Sequence, residues 1–161
     1  LKFFFAIVCL VFFSGNQELV TVRENYILAS QSKEKAEEFN KLMVSYSGEN
    51  KTLLAYKGAS IALKAKFASD RKTKKELFTK GITILEQAVK ADSNNAEIRL
   101  IRLSIQENTP KILNYKANIS EDKKLILTTF DKQNKALQEH LKSFIMQSKS
   151  FTAQEKELIA N

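Results

Sequence analysis

Lys51-Thr52-Leu53-Leu54-Ala55-Tyr56-Lys57-Gly58-Ala59-Ser60-Ile61-Ala62-Leu63-Lys64-Ala65-Lys66-Phe67-Ala68-Ser69 carries apolar residues on two opposite sides of one helix. With one turn every 3.6 residues, Leu54, Gly58, Ile61, Ala65 and Ala68 share one side, and Tyr56, Ala59, Leu63 and Phe67 share the other. Lys57 and Lys64 occupy a narrow wedge between them. A helix on the rim of a bundle needs a single apolar stripe, so two stripes predict neighbours on both sides. Gly58 and the alanines let those neighbours approach closely, although Gly gives up helix propensity. The segment reads as the sandwiched helix of an all-helical protein.

The same spacing recurs in both directions. Four Gly and one Pro in 161 residues leave few turns, and strand-like alternation is hard to find. Leu19, Val22, Tyr26 and Ala29 mark a first helix at about 18–30. Ser32 caps a second, with Ala36, Phe39, Leu42, Met43 and Tyr46 as its apolar stripe, and Ser47-Gly48-Glu49-Asn50 reads as a turn. Leu77, Phe78, Gly81, Ile84, Leu85, Ala88 and Val89 mark a helix at about 73–91, which Asp92-Ser93-Asn94-Asn95 stops. Residues 96–106 are apolar nearly all round, with Arg99 and Arg102 as polar relief, so this short helix belongs in the middle of the molecule.

Thr109-Pro110 reads as a helix start, with Thr109 as cap and Pro110 in the first helical position. Ser120-Glu121-Asp122 places acidic residues at another helix N-terminus, with Leu125, Ile126 and Phe130 facing inward. Leu137, Leu141, Phe144 and Ile145 anchor a helix at about 134–148, and Thr152-Ala153-Gln154-Glu155 is a capping box opening a short last helix. No linker divides these elements, so residues 17–161 are expected to form a single all-α domain of stacked antiparallel helical hairpins.

The amino end follows another plan. Lys2, the apolar run Phe3–Phe13 and the polar exit Ser14-Gly15-Asn16 form the three parts of a secretory signal peptide over residues 1–16. The run is shorter than the roughly 20 apolar residues that span a bilayer. Small residues do not occupy both positions needed for cleavage, so an uncleaved membrane tether remains the alternative. Cys9 follows Val8 rather than a small residue and reads as part of the apolar run, not as a lipidation site. The expected location is therefore exported, in the periplasm.

Residues 81–96, Gly-Ile-Thr-Ile-Leu-Glu-Gln-Ala-Val-Lys-Ala-Asp-Ser-Asn-Asn-Ala, resemble the second helix and exit of a tetratricopeptide repeat. Gly81, Leu85, Ala88, Asp92 and Ala96 fit that family's positions, and Ser93 stands where it has Pro. Leu54 and Gly58 look similar to positions in the family's preceding helix. The spacing from Gly58 to Gly81 exceeds the family's 34-residue unit by about eleven residues, and no second clean repeat follows. The resemblance covers about residues 51–106 and implies stacked hairpins with a protein-binding surface.

Catalytic equipment is sparse. His140 is the only histidine, and Glu139 is its neighbour in sequence rather than one turn away, so paired-histidine metal binding is excluded. No phosphate-cradling Gly loop or nucleophile elbow occurs, and Cys9 leaves with the signal segment. Glu37-Glu38 and Glu121-Asp122 read as surface or capping carboxylates. The chain is expected to be no enzyme and to take no metal or cofactor.

The formal charge of +8 concentrates in residues 64–80, where Lys64, Lys66, Arg71, Lys72, Lys74, Lys75 and Lys80 meet only Asp70 and Glu76. This is the tip of the hairpin, and a contact with anionic polymer or a membrane surface would use it. The plainer reading is a solvated end that keeps the protein soluble. Nucleic acid fits poorly, because lysines outnumber arginines 22 to 4 and no aromatic ladder interleaves them. The leading expectation is an exported scaffold that binds another cell-envelope protein, and the second is the basic module.

Overall fold

The computed structural model describes residues 15–160, so, except for Gly15 and Asn16, which open the first helix, the export-signal segment 1–16 lies outside the described residues. Within them the chain forms α1 (Gly15–Ala29), α2 (Lys33–Val44), α3 (Lys51–Phe67), α4 (Arg71–Ala91), α5 (Ala96–Asn108), α6 (Ile119–Thr129), α7 (Lys135–Gln147) and α8 (Ala153–Ala160). Single 3-10 turns occupy Lys111–Leu113 and Phe130–Lys132, and no strand occurs among the described residues. The fold is all-α.

With so little Gly and Pro, short polar side chains mark the helix starts. Ser32, Asn50, Asp70, Asn95 and Asn134 each accept a hydrogen bond from a backbone N–H in the first turn of α2, α3, α4, α5 and α7, respectively. Each satisfies donors that a helix leaves unpaired and stabilises its start by about 1 kcal/mol. The box at α8 closes in both directions: Thr152 N donates to Glu155 Oε2 at 2.7 Å and Glu155 N to Thr152 Oγ1 at 3.2 Å.

The α3–α4 hairpin is the spine. A Cβ placed on Gly58 would lie 2.6 Å from Leu85 N and 2.7 Å from Gly81 O, and one on Gly81 would lie 2.5 Å from Ala62 N. The two glycines therefore meet across the helix crossing, and the backbones approach as no larger residue would allow. α3 touches α1, α2, α4 and α5, which makes it the covered helix that its two stripes require. The second stripe fades toward its end, where Leu63 and Phe67 are half-buried.

α5 is central. Ile98, Ile101 and Ile105 pack into one core with Val22, Phe39, Leu53, Tyr56 and Leu85. Ala96, Leu100 and Leu103 pack into a second with Ile126, Leu137, Leu141, Ile145 and Phe151. One helix thus joins an N-terminal layer, α1–α4, to a C-terminal layer, α6–α8. Tyr26, Phe39 and Tyr56 meet in the first core, with Tyr26 and Tyr56 edge-on at 5.3 Å.

Several expectations change. Thr109-Pro110 opens no α-helix: Thr109 closes α5, its Oγ1 donating to Ile105 O at 2.6 Å, and is unavailable as a forward cap. Pro110 instead leads into the 3-10 turn, after which Asn114 adopts the left-handed φ of 48° that reverses the chain toward α6. Leu42 is exposed and Tyr46 lies beyond the end of α2, where its Oη accepts from Asn50 N. Phe130 belongs to the 3-10 turn after α6 rather than to the helix.

Candidate functional site

The seven basic residues of 64–80 do not form one cluster. Lys64 is half-buried with Nζ 3.4 Å from Asn40 Oδ1 of α2, and Lys66 Nζ donates to Ser30 O at 2.9 Å, in the α1–α2 connection. Lys66 also stands over the Phe67 ring. Both lysines thus serve contacts with the first hairpin. Arg71, Lys72, Lys74, Lys75 and Lys80 are exposed on α4 and make no ion pair within the described residues.

Three of these five begin the helix, and its first turn contains no acidic residue. The partial positive charge of the helix N-terminus has the same sign as theirs and is met by the Asp70 cap. The Asp70 carboxylate accepts from Thr73 N at 2.8 Å, and that contact holds its pKa below the usual value. Lys72, Lys75, Glu76, Thr79 and Lys80 line a shallow open depression along one face of α4. Positions three and four apart stack on one side of a helix, which is why these five share it.

Sequence reasoning missed the buried charges. Asp122, fully buried on α6, accepts from Arg99 Nη1 at 2.9 Å, from Arg102 Nη2 at 2.6 Å and Nε at 2.9 Å, and from Gln106 Nε2 at 2.8 Å. It is therefore no surface cap, as Ser120-Glu121-Asp122 had suggested. Only Glu121 of that pair stays exposed, and its bond to Arg99 lowers its pKa. Arg102 also bonds Glu86 of α4, whose other oxygen accepts from Tyr115 Oη. Burial opposes the charge on Arg102, but Asp122 and Glu86 outweigh it and raise its pKa.

A second cluster ties α1, α3, α5 and α7. Arg23 clamps Glu97 with two bonds of 2.7 Å, and Tyr56 Oη donates to Glu97 Oε1 at 2.8 Å. His140 Nε2 lies 3.4 Å from Tyr56 Oη, and burial lowers its pKa while the Glu97 charge opposes that shift. Burial, reinforced by Glu97, raises the Tyr56 pKa well above the ordinary range. Tyr26 Oη shares a hydrogen bond with Ser104, and burial pushes its pKa up to about 12.

Both clusters are saturated: among the described residues no buried side-chain polar atom lacks a hydrogen-bond partner. Glu97 and Asp122 are held by arginines and present no open acid or base to a substrate. Their signal in the sequence was the choice of Arg in a lysine-rich chain. Three of the four arginines, Arg23, Arg99 and Arg102, fill buried pairs that need a rigid, forked donor.

Among the described residues no three His, Cys, Asp or Glu side chains are grouped to hold a metal ion, and no helix is long and apolar enough to cross a membrane. Among the described residues five of the eight exposed large apolar side chains lie on the first hairpin, Val20, Ile27 and Leu28 on α1 and Leu42 and Val44 on α2, and the others are Ile112, Leu113 and Leu158. In comparisons with protein-family models, curated proteins and solved structures, the chain matches none.

Proposed function

We propose that the chain is a non-enzymatic, exported helical scaffold that binds another protein of the cell envelope. The observation that carries this reading is the apolar exposure of the outermost hairpin. Ile27 is 51% and Val44 54% exposed, with Val20, Leu28 and Leu42 beside them in the same two helices. Apolar side chains left exposed in one hairpin support an interaction surface there, and the other exposed large apolar residues, Ile112, Leu113 and Leu158, lie outside it. The saturated clusters around Glu97 and Asp122 fit a rigid support rather than a reacting centre. The tetratricopeptide resemblance of residues 81–96 points the same way, since that family presents partners with a surface of stacked hairpins. The periplasm is the proposed location, with a tether through the amino-terminal segment as the alternative.

Capture from an envelope fraction by the full chain tests this. A stoichiometric partner should be recovered, and the double variant Ile27→Glu/Leu42→Glu should lose it while keeping its helical content. Recovery of nothing by the parent, under repeated conditions, overturns the reading. Equal recovery by the double variant moves the interface away from α1–α2.

A further inference from the structure

The outer face of α4 is left without a role by the scaffold reading, and it does not depend on that reading. Arg71, Lys72, Lys75 and Lys80 are exposed and make no ion pair, they follow a helix start capped by the Asp70 carboxylate, and Glu76 is the only acidic residue within their span. We propose that this face binds an extended anionic polymer bearing phosphate or carboxylate groups.

Geometry separates the four from the other basic residues nearby. Lys64 and Lys66 are turned to Asn40 and Ser30, whereas Lys74 is exposed and stands about 60° beyond Arg71 at the margin of the set, about 160° from Lys72. With about 100° between successive residues, Arg71 sits about 100° to one side of Lys72 and Lys80 about 80° to the other. The charges therefore wrap about half of the helix circumference, over an axial length of about 13 Å from Arg71 to Lys80.

A flat bilayer touches a helix along one line and would leave part of this set unused. A flexible chain follows all of it. Peripheral membrane helices also add apolar side chains that enter the lipid, and no large hydrophobic residue of α4 is exposed. Lysine supplies a mobile point charge without fixed geometry, which suits repeated anionic groups better than a single small ligand.

Long-chain inorganic polyphosphate and poly-L-glutamate serve as probes for the two anion types, with the full chain and vesicles of phosphatidylglycerol alongside. The parent should bind at least one polymer at low salt, and binding should weaken about tenfold or more by 0.3 M salt as exposed charges are screened. The quadruple variant R71Q/K72Q/K75Q/K80Q should lose tenfold or more. A variant of equal net charge, K111Q/K124Q/K132Q/K149Q, removes four exposed lysines elsewhere and should lose less than threefold. Glu76→Gln should gain about twofold.

Three results overturn the proposal: no polymer binding by the parent at low salt, equal losses in the two quadruple variants, or tighter binding to the vesicles than to either polymer. Equal losses would mean that net charge alone attracts the polymer. The protein capture described above uses residues on α1 and α2, so either experiment fails without the other.

Discussion

Along α5, Arg99 and Arg102 lie buried against Asp122, whereas along α4, Arg71, Lys72, Lys75 and Lys80 stand in solvent with no ion-pair partner. Both sets are positive, one on α4 of the spine itself and the other on α5, which packs against the spine. The difference is what water does for each. Exposed lysines keep their hydration and need no partner. A buried guanidinium has lost its hydration, so it is stable only while a carboxylate and further acceptors replace the water. Asp122 accepts three hydrogen bonds from the two arginines and a fourth from Gln106, and Glu86, Glu121 and the Ser93 carbonyl complete the set around the two arginines.

Breaking the buried side of this comparison should have the largest effect. Asp122→Ala leaves Arg99 and Arg102 in the interior without their shared carboxylate. A loss of about 3–5 kcal/mol is expected, read as a lower urea midpoint. Replacing the set together, as Asp122→Leu/Arg99→Met/Arg102→Met, should recover much of that loss, because apolar side chains of similar volume carry no desolvation penalty. If Asp122→Ala is neutral, the pair is hydrated in solution and the contrast with α4 disappears.

The next largest effect tests the spine that both regions share. Gly81→Ala gains about 1 kcal/mol of helix propensity, but its Cβ would meet backbone atoms of Ala62 and Gly58 at 2.5 and 2.6 Å. Backbone atoms do not move aside singly, so α3 and α4 must separate. Overpacking of this kind costs about 1–3 kcal/mol, and a net loss in thermal midpoint is expected. A rise in midpoint would show that the crossing opens easily.

These two sites differ in how far they were readable beforehand. Gly58 and the small residues around it announced a close crossing because helical spacing alone puts them on shared faces. α5 announced its central place in the same way, through apolar residues on every side. The pairing of Asp122 was hidden because an acidic residue in the first turn of a helix has a local explanation, the helix dipole. Its true partners are about 20 residues away in sequence, in another helix. Glu97 was masked alike, being close to the start of α5, while Arg23 is 74 residues from it. Thr109-Pro110 misled for the opposite reason, since the threonine hydroxyl had a choice of directions and turned back to the helix it ends.

A smaller effect is expected at His140, which stands between the two layers. It faces Tyr56 of α3, with Glu97 of α5 and Arg23 of α1 as the charges that act on it. Burial lowers its pKa below the ordinary 6.5, so the unfolded chain takes up the proton first as pH falls. Stability should therefore drop as pH descends from 6.5 toward the folded pKa, and the His140 contribution should level off below it. His140→Gln should remove this part of the slope in urea unfolding measured from pH 7.5 to 5. An unchanged slope would assign it to other groups.

The smallest change in stability should come from the exposed side. The variant R71Q/K72Q/K75Q/K80Q removes four charges yet breaks no ion pair, so its stability should match the parent within about 0.5 kcal/mol. The sign should be a slight gain. Arg71 and Lys72 oppose the dipole in the first turn, and their mutual repulsion is relieved when they are neutralised. Both contributions are screened, so the gain should shrink in 0.5 M salt, whereas the loss at Asp122, screened by protein rather than by ions, should persist. A substantial loss in the quadruple variant, at either salt concentration, would mean that these side chains hold structure after all. Their freedom to meet a polymer would then go with it.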